Sequence, residues 1–186
     1  GDFFTMKGVV EEFLGQVGIN KNITYDPKAG KTFLHPGRQA NVICDDKVIG
    51  YLGEVHPLVC ENYAMKTRAY VAVIDMPYIY EMANFDKKYE GIAKFPAVSR
   101  DISMVVPKEI MVGQIEDVIK QRGGNILEGY NLFDIYEGDQ IEKGFKSVAY
   151  NIVFRAKDRT LEESDVSGAM KKILNGLEEL GIQLRG

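Results

Sequence analysis

The order of periodic segments in the second half constrains this chain most. In chain order these are a strand at 101–106, a helix that ends at 122–124, strands at 126–137 and 147–156, a helix from 160 to 181 and a short strand at 182–185. Strands alternate apolar and polar residues with a period of two, whereas helices repeat every three to four residues. The predicted order is therefore β-α-β-β-α-β.

This order is typical of an α+β, ferredoxin-like fold, in which two helices cover one face of an antiparallel sheet and leave the other open. Alternation assigns Phe133 and Ile135 to the core and turns Leu132 outward. The side chains predicted for the open face, or near its rim, are Asp134, Tyr136, Ser147, Asn151, Arg155, Lys146, Lys157 and Arg159. Aromatic, carboxylate, hydroxyl, amide and basic groups on one surface suit single-stranded RNA, although a merely solvated face would use the same residue types.

The pattern of the first half predicts a second α+β segment. Apolar residues at helical spacing predict a helix over 2–17, stopped by Gly18. Strands at 40–44 and 48–52 form a predicted hairpin, and the apolar run at 68–76 predicts a strand covered on both faces. Between residues 84 and 94 the periodicity stops, so we expect a boundary between a domain at 1–86 and a domain at 93–186.

Composition excludes several classes of protein. The net charge of −4 argues against binding by bulk positive charge, although residues 143–159 hold five basic residues and one acidic residue. No apolar run is long enough to span a membrane, and the start at Gly1 indicates a piece of a longer protein. Cys44 and Cys60 are too few for a disulfide framework, which favours a cytoplasmic protein.

Candidate catalytic and metal-binding residues are scarce. His35 and His56 each precede a proline, and no further ligand stands at metal-binding spacing, so we predict structural roles for both. No nucleophile motif is present. We therefore expect no catalytic residue, no metal site and no bound cofactor.

Several ordered phrases in the second half are similar to one family. They are FPAVSRDIS at 95–103, LFDIYEG at 132–138 and GFKSVAYNIVFRAKDRTL at 144–161. This segment resembles the C-terminal anticodon-binding domain of the bacterial phenylalanyl-tRNA synthetase beta subunit. DFFTMKGVVE at 2–11, LHPGRQA at 34–40 and GYLGEVHP at 50–57 resemble the class II synthetase-like catalytic-like module of the same subunit.

The resemblance implies a C-terminal fragment of a beta subunit that works in an α2β2 heterotetramer. That enzyme attaches phenylalanine to tRNA-Phe with ATP and Mg²⁺, and its aminoacylation site lies in the alpha subunit. The fragment alone is then inactive, with the tRNA-Phe anticodon loop and the alpha subunit as partners and neither DNA nor a membrane among them. By motif position, Asp134, Tyr136 and Ser147 correspond to the family's anticodon contacts.

Two other functions remain compatible with the residues. A ferredoxin-like domain can bind a small regulatory ligand, and a fragment of this kind can serve subunit assembly alone. The apolar stripe of the first helix, if it were exposed, would supply a surface for such assembly.

Overall fold

The computed structural model describes residues 1–20, 22–86, 89 and 91–185. The chain divides into two compact units, Gly1–Tyr89 and Glu90–Gly186. The predicted boundary at 84–94 includes Lys87, Lys88 and Glu90, which lie outside the described residues. No helix among the described ranges is long and apolar enough to cross a membrane.

The first unit is an antiparallel four-stranded sheet with helices against one face. Its elements are α1 (Phe3–Gln16), β1 (Ile23–Asp26), β2 (Leu34–Cys44), β3 (Lys47–Val55), α2 (Pro57–Asn62), β4 (Tyr70–Ile74) and α3 (Met76–Met82), with strand order β1-β2-β3-β4. The core combines Val10 and Leu14 of α1 with Leu52 of the sheet and Ile79 of α3. The stripe of α1 is thus used inside the unit.

Local chemistry explains the ends of these elements. The Asp2 carboxylate caps α1 by accepting a hydrogen bond from the Thr5 amide at 2.7 Å. The β2–β3 hairpin turns at Asp45 and Asp46, whose φ angles of 46° and 63° are those of a two-residue type I′ turn. His56 caps α2, because its Nδ1 accepts a hydrogen bond from the Leu58 amide at 3.2 Å.

Two features of the first unit differ from the sequence expectation. The short strand β1 was not anticipated, because four residues carry too little periodicity to be recognised. The strand expected to be covered on both faces is the edge strand β4, in which Val73 remains 48% exposed. An apolar run of five residues does not distinguish a central strand from an edge strand.

The second unit has the predicted ferredoxin-like fold. Its elements are β5 (Val98–Pro107), α4 (Val112–Gly123), a 3₁₀ turn (Gly124–Ile126), β6 (Leu127–Tyr136), β7 (Phe145–Phe154), α5 (Glu163–Glu179) and β8 (Gln183–Leu184). The antiparallel strand order is β6-β7-β5-β8, so β7 and β5 are central. Helices α4 and α5 pack on one face over a core that includes Met104, Tyr150 and Ile173.

The start of α5 also differs in detail. Thr160 and Glu163 have the T-x-x-E spacing of a capping box, which predicts an N-cap at Thr160. The observed N-cap is Glu162, paired with Asp165. The Asp165 carboxylate accepts a hydrogen bond from the Glu162 amide at 2.9 Å. An acidic side chain in this first turn also interacts favourably with the positive end of the helix dipole.

Candidate nucleic-acid interface

The face of the second sheet that carries no helix is organised in three rows of paired residues. One row joins Tyr136, Ser147 and Val105; the next joins Asp134, Ala149 and Ser103; the third joins Asn131, Asn151 and Asp101. Paired Cα atoms lie about 4.5–5.5 Å apart, and successive rows lie about 7 Å apart along the strands. Asp134, Tyr136, Ser147 and Asn151 therefore share this surface, which we call the open face.

A β-bulge in β6 decides which of its side chains reach the open face. Leu132 pairs with Tyr150 and Asp134 with Ala149, so Phe133 has no partner of its own on β7. Leu132 packs against the core. The expectation that Phe133 lies in the core and Leu132 outside it is wrong, because an inserted residue shifts the alternation by one position.

The middle row of the open face projects little from the sheet at Ala149 and Ser103, because both side chains are small. Ser147, on the central strand between Tyr136 and Val105, is only 6% exposed. Tyr136 is 39% exposed, and its hydroxyl group lies so close to Gly138 that a Cβ atom there would be 2.1 Å away. Tyr136 is therefore the raised aromatic side chain at this end of the face.

The third row contains a polar pair. Asn151 Nδ2 donates a hydrogen bond to Asp101 Oδ1 at 2.6 Å across β7 and β5. Asn151 is partly exposed and Asp101 exposed, so both keep unused hydrogen-bonding capacity at the surface. Asn131 completes the row and was not singled out from sequence, since the bulge obscures its parity with Asp134.

The three basic side chains predicted to contact RNA all have partners within the unit. Arg155 Nε donates to Glu128 Oε1 at 2.8 Å, and its Nη1 donates to the Phe95 carbonyl at 2.6 Å. Lys146 Nζ donates to the Ile110 carbonyl at 2.7 Å. These bonds hold the segments before β5 and α4 against the sheet, which is a structural use of both cations.

Arg159 forms two hydrogen bonds to Asp165, at 2.5 and 2.9 Å. These bonds and that of the Glu162 amide lower the pKa of Asp165 to about 2. Near the other end of the sheet, Lys108 binds Glu137 at 2.6 Å and lowers the pKa of that carboxyl. Contact of Arg159 or Lys108 with a phosphate would thus compete with an existing ion pair.

The described residues offer no obvious grouping for a metal ion. Within the part of the chain that the structure describes, no three His, Cys, Asp or Glu side chains are grouped so that they could hold a metal ion. No Mg²⁺ site is therefore assigned among the residues that the structure describes. Cys44 and Cys60 are buried free thiols.

Comparison with known families decides what this surface belongs to. Residues 93–185 match the model described as "Ferredoxin-fold anticodon binding domain". The chain belongs to this family. Residues 1–76 match the model described as "Phenylalanyl tRNA synthetase beta chain CLM domain". The resemblance to the beta subunit that the sequence motifs indicated is thereby confirmed, and the open face is a surface of the anticodon binding domain.

Curated relatives extend the match over both units. Proteins named "Phenylalanine--tRNA ligase beta subunit" are 45% identical over 185 residues in Clostridium acetobutylicum, 37% over 184 in Symbiobacterium thermophilum and 37% over 178 in Bacillus subtilis. These alignments cover 99%, 99% and 96% of this chain, but 23%, 20% and 22% of the relatives. The chain spans less than a quarter of their length.

Solved structures add nothing to the family match. A cryo-EM structure of Arabidopsis thaliana MSL1 aligns with 98% of this chain and 64% of that chain, at 11% identity and a TM-score of 0.33. This similarity is too weak to inform the fold.

Proposed function

We propose that the anticodon binding domain of this chain recognises the anticodon loop of tRNA-Phe on its open face. Unpaired bases lie on the sheet, where Tyr136 offers a stacking surface and the carboxylate of Asp134 accepts hydrogen bonds from base edges. Ser147, in the same row as Tyr136, and Asn151, in the third row, add further polar groups. Recognition in this position holds the tRNA while its acceptor end reaches a distant catalytic site.

The observation that carries this proposal is the convergence of Asp134, Tyr136 and Ser147 in two adjacent rows of the uncovered face. Stacking and base-edge hydrogen bonds are how proteins read unpaired RNA. Phosphate contacts by Arg155, Lys146 and Arg159 stay predictions, and they require these side chains to exchange their present partners. The family match and the names of the curated relatives support tRNA-Phe as the RNA.

Single substitutions on the open face test the proposal. Asp134→Ala and Tyr136→Ala should each weaken binding of a tRNA-Phe anticodon stem-loop by about 1–3 kcal/mol, the range for loss of one stacked base or one charged hydrogen bond. Fluorescence anisotropy with the labelled stem-loop, over a series of salt concentrations, measures the affinity. A stem-loop with a swapped anticodon should bind weakly to the unchanged protein, because readout depends on the bases.

Asp117→Ala is the matched control, because it removes the same charge from the exposed side of α4 on the helix-covered face. It should leave the affinity unchanged. Equal affinity of both open-face variants and the unchanged protein would contradict the proposal. If amino acids or nucleotides, but not RNA, raised the melting temperature, a small-ligand function would replace it.

For the first unit, we propose that it packs against an alpha subunit in an α2β2 phenylalanine-tRNA ligase. ATP, Mg²⁺ and phenylalanine then act on the alpha subunit, and a cytoplasmic location belongs to the same proposal. Support comes from the face of the first sheet opposite α1 and α3, where Val48 and Val73 are exposed beside Ile43 and Tyr51. Contiguous apolar surface of this kind favours protein partners.

Val73→Asp tests the packing proposal, because it places a charge on an exposed apolar position of that face. Co-elution of the chain with an alpha subunit in size-exclusion chromatography should be lost in this variant. Thr24→Asp is the control, since Thr24 lies on the same face at the β1 edge and is already exposed. Co-elution of both variants would refute the assignment of this face.

A further inference from the structure

Glu128 and Phe133 are the two described residues of β6 that neither join the core nor have a partner in the sheet register. Glu128 forms an ion pair with Arg155, so its position has a structural explanation that Phe133 lacks. The Phe133 side chain is 54% exposed and is absent from the hydrophobic core that Leu132 joins. Together with Asp134, Phe133 opposes the single residue Ala149 on β7. A large aromatic side chain therefore stands in solvent directly beside a proposed base-reading carboxylate.

The residues that follow the bulge do not need Phe133 to reach their faces of the sheet. Without Phe133, strict alternation from Leu132 would still place Asp134 on the open face, Ile135 on the helix side and Tyr136 on the open face. Phe133 is therefore needed neither to keep the alternation of β6 in phase nor to fill the core. Bulges are over-represented beside functional sites, where they re-aim a side chain.

We propose that Phe133 is a second stacking platform for an unpaired RNA base, next to the base that Tyr136 holds. This inference rests on the proposed function and adds a specific subsite to it. Because Phe133 and Asp134 together oppose Ala149, Phe133 lies about 7–10 Å from Tyr136 along the strand. Two stacking surfaces so far apart suit splayed bases with Asp134 between them, rather than one stacked pair.

The chemistry favours a base over other occupants. Every base offers a π-face, and aromatic side chains are the usual platforms for unpaired nucleotides. Phe133 has no polar group with which to select a base, so it contributes affinity and position while Asp134 contributes readout. The side chains around Phe133 are polar, namely those of Asp134, Asn131 and Asn151. Polar surroundings disfavour a purely apolar contact with another protein.

Phe133→Ala tests the inference on the full chain. Its affinity for the tRNA-Phe anticodon stem-loop should fall roughly 5- to 150-fold, while the melting temperature stays unchanged. Phe133→Trp should restore the affinity, because it restores a stacking surface. Stem-loops with 2-aminopurine at single loop positions should show fluorescence quenching at one position that disappears in Phe133→Ala and persists in Tyr136→Ala.

Ile135→Ala is the matched control, because Ile135 is 46% exposed two residues further along β6 but pairs with Val148 on the helix side. Its RNA affinity should not change. Deletion of Phe133 should fold and bind as weakly as Phe133→Ala; if the deletion does not fold, Phe133→Ala and Phe133→Trp decide alone.

Two outcomes separate this inference from the proposed function. Unchanged affinity of Phe133→Ala beside weakened Asp134→Ala would overturn the inference and leave the proposed function standing; Phe133 would then contact another protein. Unchanged affinity of Phe133→Ala, Asp134→Ala and Tyr136→Ala together would overturn both.

Discussion

Phe154→Ala should lower the free energy of unfolding of the second unit by about 3–5 kcal/mol, the usual cost of removing a buried aromatic side chain. Phe154 is fully buried on the central strand β7, opposite Val98 on β5 and Leu127 on β6. Since small domains have about 5–15 kcal/mol of stability in total, this is a large share. Hydrogen exchange detected by mass spectrometry measures the loss separately in the two units.

Val153→Ala is the control for this prediction, because Val153 is adjacent in β7 but lies partly exposed on the open face. It should cost no more than about 1 kcal/mol. Faster exchange in Phe154→Ala should affect residues 98–184 and leave 3–82 unchanged. Equal exchange rates in the two variants would mean that the core under the open face does not determine the stability of the unit.

Alternation was sufficient to predict the faces of β5 and β7. From Ile102 to Val106 in β5 and from Val148 to Phe154 in β7 every second residue is apolar, and all of these side chains are buried. One regular strand has only two possible orientations, and the apolar set selects one of them. The fold order and the open-face positions of Ser147 and Asn151 followed from this simple pattern.

Alternation alone does not determine which residues of β6 face the core. In LFDIY both Leu132 and Phe133 are apolar, so a regular strand with Phe133 inside and a bulged strand with Leu132 inside fit equally well. Both place Asp134 and Tyr136 on the open face. Pairing with Tyr150 and Ala149 on β7 decides between them, and that is information from another strand.

The sequence alone also does not predict the partners of the basic side chains. Arg155 pairs with Glu128 on a neighbouring strand, and Lys146 binds carbonyl groups of the segment before α4. These contacts join residues 27 and 36 positions apart. Residue type alone could indicate a cation near the sheet, but tertiary structure determines whether that cation is free for phosphate.

In the first unit, Gly18→Ala should be the most damaging small substitution, with a loss of about 2–5 kcal/mol. Gly18 has a φ angle of 80°, and a Cβ atom there would lie 1.8 Å from the Asn84 carbonyl oxygen. The left-handed conformation alone costs about 1–2 kcal/mol, and displacement of packed backbone adds about 1–3 kcal/mol. The hydrogen bond from the Asn84 amide to the Val17 carbonyl, at 2.9 Å, keeps that backbone in place.

Gly30→Ala separates the two contributions to this cost. Gly30 has a similar φ angle of 66°, but an added Cβ atom would meet nothing within 4 Å. Its substitution should therefore cost only the conformational part, about 1–2 kcal/mol. Hydrogen exchange within residues 3–82 compares the variants, and equal losses would show that contact with Asn84 contributes nothing. A larger loss in Gly18→Ala would identify the junction between the end of α1 and the segment after α3 as a point that holds the first unit together.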